Sequence, residues 1–148
     1  MLHVLCRIGR DEYAIAAESI ERVLPYAALK AVPGAPSGLA GLLNYRGFAI
    51  PVVDLSAALT GTPAALLLTT RILLCPLKES ASGRIGLVAE SVSRTERLES
   101  SQPAGASGAE CLKEICLANG SLVQRLEVPA ILPQGLLASL NLAPRFEA

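Results

Sequence analysis

The sequence predicts an all-β fold, and two features carry that prediction. Apolar residues alternate with polar or small ones in short runs, as in Leu2, Val4, Cys6 and Ile8, which is the period of a half-buried strand. The 12 glycines and 10 prolines fall between these runs, where turns belong. Many short strands with frequent Gly and Pro turns indicate a barrel or sandwich. Composition bounds the answer. At 148 residues the chain suits one compact domain or two small subdomains sharing a core. Hydrophobic residues make up 51% but aromatics only 3%, with no Trp, so Leu, Val, Ile and Ala must fill that core.

The first strand puts Leu2, Val4, Cys6 and Ile8 on one face and His3 and Arg7 on the other. Gly9-Arg10-Asp11 makes the turn, and Tyr13 and Ile15 alternate with small residues in a second strand. Ser19 to Leu24 is a third strand, stopped by Pro25. Lys30 to Gly38 contains Pro33, Gly34 and Pro36 and reads as an extended loop. Leu39 to Leu43 and Phe48 to Val53 form a hairpin around Asn44-Tyr45-Arg46-Gly47, with one arginine presented at the bend. Asp54 caps a short helix over Leu55 to Leu59, ended by Gly61 and Pro63. Arg71 to Leu77 and Arg84 to Glu90 are a strand pair around the polar turn Lys78 to Gly83, and Val92 to Leu98 continues as a strand. Ser100 to Gly108, rich in Ser, Gly, Ala and Pro, reads as a loop. Ile115 to Leu117 and Leu122 to Glu127 form a last hairpin around Asn119-Gly120, a strong turn signal. Val128 to Leu132 and Gly135 to Leu142 read as short terminal helices. Gly61-Thr62-Pro63-Ala64-Ala65 marks a natural break between two small strand clusters.

Function classes fall away on inventory. Thirteen basic and thirteen acidic residues cancel, which leaves no electrostatic footprint for a phosphate backbone, and scarce aromatics remove base-stacking platforms. Nucleic acid is therefore not an expected partner. The one histidine, His3, sits on the polar face of its strand and reads as a solvent-exposed bystander without an acid–base constellation. No phosphate loop or dinucleotide fingerprint occurs: Gly38-Leu39-Ala40-Gly41 lacks the lysine, and its glycines read as close packing or a bulge. No acidic spacing suggests a metal cage or a paired general acid and base. No enzyme, cofactor or metal is expected.

Cys6 and Cys75 lie in apolar strands, where a thiol acts as a small hydrophobe; Cys111 and Cys116 have neither a second pair nor a nearby His, so structural thiols are expected. The longest uncharged run is broken by Pro33 and Pro36, so it does not span a membrane, and the N-terminus lacks the plan of a signal peptide. A cytoplasmic location without direct membrane insertion is the expectation.

A binding module remains, and here the residues become familiar. Asn44-Tyr45-Arg46-Gly47 followed by Pro51-Val52-Val53-Asp54-Leu55 resembles the Asn-x-Arg-Gly…Pro-[Val/Ile]-Val-Asp-Leu signature of the CheW family of bacterial chemotaxis coupling proteins. Upstream, Tyr13-Ala14-Ile15 and Ile20 are similar to the family's tyrosine strand and the apolar position after it. Downstream, Arg84 to Val92 resembles its Gly-[Leu/Ile]-Val-Val-Asp-x-Val strand, and Leu122 to Leu132 its closing strand and short helix. Each piece is weak alone; their order and spacing across nearly the whole chain are specific. A narrower resemblance, carried by Ala28-Leu29-Lys30, Pro33-Gly34-Ala35-Pro36 and the Arg-Gly turn, is to couplers of Wsp surface-sensing systems, whose output is cyclic-di-GMP.

The family resemblance implies two five-stranded β-barrel subdomains packed side by side. Subdomain one would span about 10–65 and subdomain two about 70–127 plus the N-terminal strand, with 128–148 packing back. It implies a non-catalytic adaptor bridging the cytoplasmic hairpin tip of a methyl-accepting receptor and the regulatory domain of a CheA-type histidine kinase, at membrane-associated receptor clusters. The receptor tip would lie in a groove between the barrels. By motif position, Arg46 matches the arginine that matters for coupling, Asn44 and Gly47 hold its turn, Ile20 and Gly41 match receptor-contact positions, and Val88 lies on the strand lining the groove. One departure stands out. Many family members carry Glu at the position of Arg22, where it can pair with the turn arginine; here Arg22 would repel Arg46, and Glu21 faces the other side of an unbulged strand. Arg22 is thus a candidate rim charge for a more acidic partner.

Ala64-Ala65-Leu66-Leu67-Leu68 is unusual for a surface connection. A contact patch and simple apolar tethering both fit, and tethering is the expectation. A rival to the adaptor reading is a small β-barrel that binds a small ligand or regulates by diffusion, without receptor contact.

Overall fold

A hairpin at the N-terminus and one long shared strand organise the molecule. The computed structural model describes residues 2–98, 101–103, 112–118, 121–132 and 136. Among them, β1 (Leu2–Ile8) and β2 (Asp11–Ala16) pair antiparallel around Gly9, whose φ of 62° lies in the left-handed region. On its other edge β1 meets the second half of β7 (Arg84–Arg97); β2 continues the sheet with parallel β10 (Ser121–Leu126), then β9 (Leu112–Ala118) and the short edge strand β8 (Ser101–Pro103). The first half of β7 belongs to another set. It pairs antiparallel with β6 (Arg71–Pro76), which pairs with β3 (Arg22–Pro25), and parallel with β5 (Phe48–Asp54), the partner of β4 (Leu39–Tyr45).

The two sets therefore meet inside β7, a strand of 14 residues, rather than at the connection around residues 61–65. The changeover is marked. Register slips between Leu5↔Arg94 and Arg7↔Glu90, and Ser91 adopts φ 49°, a strained value for a residue with a side chain. β2 consequently joins β8–β10, while β6 joins β3–β5, a membership that a cut at residue 65 does not reproduce.

The main core fills the space between the two sets. Ile15 of β2, Val53 of β5, Leu73 of β6 and Leu87 of β7 pack there with the short helices α1 (Leu55–Thr60) and α2 (Val128–Ile131). Each fully buried Ile or Leu stabilises the fold by roughly 1.5–3 kcal/mol. The helix start is as the sequence predicts: Asp54 Oδ1 accepts from Ala57 N at 3.1 Å, and Gly61 (φ 80°) closes the other end. A second cluster (Leu5, Ala14, Leu98, Cys116, Val123) lies on the opposite side of the β1–β2 hairpin, and a third (Leu43, Ile50, Val52, Ile72, Leu74, Val88) on the opposite side of the β4–β7 set.

Three expectations change. His3 is 1% exposed, not solvated. Alternation along a strand predicts one wet face, but β1 has core on both sides, with Cys6 and Ile8 facing one cluster and Leu5 another. Residues 17–19 form a 3-10 turn, so the third strand begins only at Arg22. Ser101–Pro103 is a strand inside the stretch expected as a loop, its Pro at the end of an edge strand, where proline is tolerated. Cys111, the Asn119-Gly120 turn and most of the Gly135–Leu142 helix lie outside the described residues.

Candidate functional site

The β4–β5 hairpin ends in a turn whose two central residues, Arg46 (φ 53°) and Gly47 (φ 86°), both lie in the left-handed region. That is the turn whose twist matches paired strands. Asn44 Oδ1 accepts from Gly47 N at 3.1 Å and fastens the bend. The backbone thus presents Arg46 outward, and its side chain is exposed. Its guanidinium carbon lies 5.1 Å from the centroid of the Tyr45 ring. A second guanidinium, that of Arg84 at the start of β7, lies 5.7 Å from the same centroid. Arg84 Nε donates to both oxygens of Glu21, at 3.0 and 3.2 Å, and that hydrogen bond holds the guanidinium above its already high pKa. The pair is about one-third exposed, so it contributes at most about 1 kcal/mol to stability; its effect is to fix where Arg84 sits. Among the described residues no carboxylate pairs with Arg46.

The family model described as the CheW-like domain matches residues 2–135, nearly the whole chain. The chain belongs to the CheW-like domain family. A curated relative, the "Probable chemotaxis protein CheW" of Rhizobium etli, is 28% identical over 87 residues, covering 59% of this chain. The match spans about half (54%) of that relative's length. The crystal structure of the scaffolding protein TtCheW from Thermoanaerobacter tengcongensis superposes with a TM-score of 0.80 at 16% identity, over 91% of this chain and 89% of that one, and shows a shared fold.

The remaining positions singled out in this CheW-like chain are distributed rather than gathered. Arg22 is exposed on β3 opposite Leu74, and no described contact joins it to Arg46. Ile20 is half-buried against the main core, just after the 3-10 turn. Gly41 is buried at a register slip of β4, with φ 150°; a Cβ there would stand 2.7 Å from the Lys30 carbonyl oxygen and 2.9 Å from Leu29 Cβ. Glycine is required because the 29–30 segment docks on β4, where Lys30 and Leu42 exchange backbone hydrogen bonds of 2.8 and 2.9 Å. Val88 is buried in the third cluster and lines the floor of a groove of about 470 Å³, with Tyr26, Leu39, Ala57, Pro63 and Leu66 around it.

Leu66 belongs to the connection with three successive leucines; Ala64 packs against the third core cluster, but the leucines do not carry the expected apolar tethering. Leu66 is 66% exposed and Leu68 96%. Polar bonds hold the backbone instead. Ala64 N donates to Asp54 Oδ2 (2.9 Å), Ala65 N to Glu90 Oε1 (2.5 Å) and Leu67 N to Thr70 Oγ1 (2.9 Å), while Thr70 Oγ1 donates to Ala65 O (2.7 Å) and Arg71 Nη1 to Leu68 O (2.6 Å). Two of the buried cysteines are held as thiols: burial pushes Cys6 up to about 12, with Glu90 adding to the effect, and Cys75 likewise to about 12.

Sequence reasoning found the turn but not its support. Tyr45, Arg84 and Glu21 are far apart in the chain, and the only local signal was an aromatic residue directly before the arginine.

Proposed function

We propose that this chain is a non-catalytic adaptor that couples the cytoplasmic hairpin tip of a methyl-accepting receptor to the regulatory domain of a CheA-type histidine kinase. The observation that carries the reading is the Asn44–Gly47 turn: a fastened backbone presents one exposed arginine with no carboxylate partner among the described residues. Family membership supports it, as do the chemotaxis and scaffolding names of the relatives. Arg46 is the contact, Asn44 and Gly47 its frame, and Val88 part of the groove floor. Ile20 and Gly41 act by shaping the surface that the partner meets, since one packs on the core and the other admits the 29–30 segment. Arg22 adds an exposed positive charge on β3. The protein works in the cytoplasm at membrane-associated receptor clusters. The Ala28–Lys30 and Pro33–Pro36 segments support placement in a Wsp-like system with cyclic-di-GMP output.

The test is co-precipitation of the chain with a receptor cytoplasmic fragment and, separately, with a CheA-type kinase. Wild type is expected to retain both, and Arg46→Ala to bind the receptor fragment measurably more weakly while keeping the kinase. Wild type that retains neither partner would sink the adaptor reading and leave the groove of about 470 Å³, within the usual range of small-ligand sites, as the place to look for a ligand.

A further inference from the structure

Glu21, Arg84 and Tyr45 form a chain of contacts that ends on Arg46. Glu21 occupies Arg84 through hydrogen bonds of 3.0 and 3.2 Å; Arg84 and Arg46 both lie against the Tyr45 ring; Tyr45 itself is half-buried against the third core cluster. We infer that Tyr45 is the positioning residue for Arg46, and that the Glu21–Arg84 pair holds Tyr45 in place, so that this end of the molecule presents one oriented guanidinium, without a carboxylate partner among the described residues, to an acidic side chain of the partner. The inference rests on the adaptor reading and goes beyond it by naming what aims the arginine and what chemistry receives it.

The physical argument has three steps. A turn arginine without support samples many rotamers, and ordering it on binding costs affinity. An aromatic face removes part of that cost beforehand, because the ring attracts the guanidinium by about 0.5–1 kcal/mol at an exposed site, or about two- to fivefold in affinity. Glu21 neutralises Arg84, so of the two guanidiniums on the ring only Arg46 carries charge outward. An internal carboxylate on Arg46 would compete with a partner's carboxylate; an aromatic ring does not, because it leaves the N–H edge free for a bidentate acceptor. The Tyr45 hydroxyl takes no part: it is buried and has no hydrogen-bond partner among the described residues.

The experiment is a double-mutant cycle on binding of the receptor cytoplasmic fragment, run at low and high salt with the full chain. Tyr45→Phe is expected to bind as wild type. Tyr45→Leu is expected to weaken binding about two- to fivefold in the wild-type background and to have no effect when Arg46 is already Ala, a coupling that a general structural defect would not produce. Arg46→Ala is expected to flatten the salt dependence, and changing acidic residues of the fragment to Gln one at a time should reveal one whose loss is silent in the Arg46→Ala background. Should Tyr45→Leu fail to fold, Arg84→Gln takes its place in the cycle, with the same non-additivity expected and Arg84→Lys as the conservative control. Additive losses, or full wild-type affinity for Tyr45→Leu beside a weakened Arg46→Ala, would overturn the positioning role alone. A wild-type chain that does not bind the fragment overturns it together with the adaptor reading.

Discussion

Two exposed bends of this molecule solve opposite problems. The Asn44–Gly47 bend is narrow, uses two left-handed residues and one side-chain hydrogen bond, and presents a charge. The connection from Ala64 to Thr70 is wider, is held by side chains of Asp54, Thr70, Arg71 and Glu90, and presents three leucines to water. In the first, backbone conformation fixes the geometry and the exposed side chain rests on an aromatic ring. In the second, side chains of Asp54, Glu90, Thr70 and Arg71 hold the backbone, Ala64 packs against the third core cluster, and the leucines stand half to almost fully exposed. Apolar character in a loop is therefore no guide to what anchors the loop; hydrogen bonds to the backbone are.

The sharpest way to break that contrast is at Asp54, which serves the helix cap with one oxygen and the leucine connection with the other. Asp54→Ala should cost about 2 kcal/mol, from one lost cap and one lost tether, and lower the melting temperature by several degrees. A melt unchanged from wild type would mean that polar tethering is not what holds the connection. At the other bend, Gly47→Ala should cost about 1–2 kcal/mol, because a Cβ is placed at φ 86°; an unaffected melt would show that the turn relaxes to another type. The smallest effect belongs to the leucines. Leu66→Ser combined with Leu68→Ser should leave stability within about 0.5 kcal/mol of wild type while reducing binding of a hydrophobic dye. A loss of more than about 2 kcal/mol would restore the apolar-anchor explanation.

The legible parts were those whose causes are local. The Arg46–Gly47 bend, the Asp54 cap and the closing Gly61 each depend on neighbours within a few residues, and each was readable as written. The strand from Arg84 was readable as a run that continues past Glu90, but not its division between two sets, since only its pairing with β1 on one side and with β5 and β6 on the other shows where the sets meet. The burial of His3 is hidden for the same reason: alternation says that two faces differ, not that one of them is wet. Gly41 gave a motif position, but its need for glycine comes from Lys30, which approaches from another segment.

What the sequence determined by itself is the all-β class, most strand positions, the family and the turn that presents Arg46, because alternation, turn chemistry and motif order act along the chain. What only the tertiary structure decided is what surrounds these elements. It placed Glu21 on Arg84 and both arginines on Tyr45, buried both faces of β1, and left Leu66–Leu68 in water on a polar frame. Those outcomes depend on which distant segments meet. Contact between residues separated by 63 positions, as in Glu21 and Arg84, is set by how the sheets close around a common core and leaves no periodic trace in the chain.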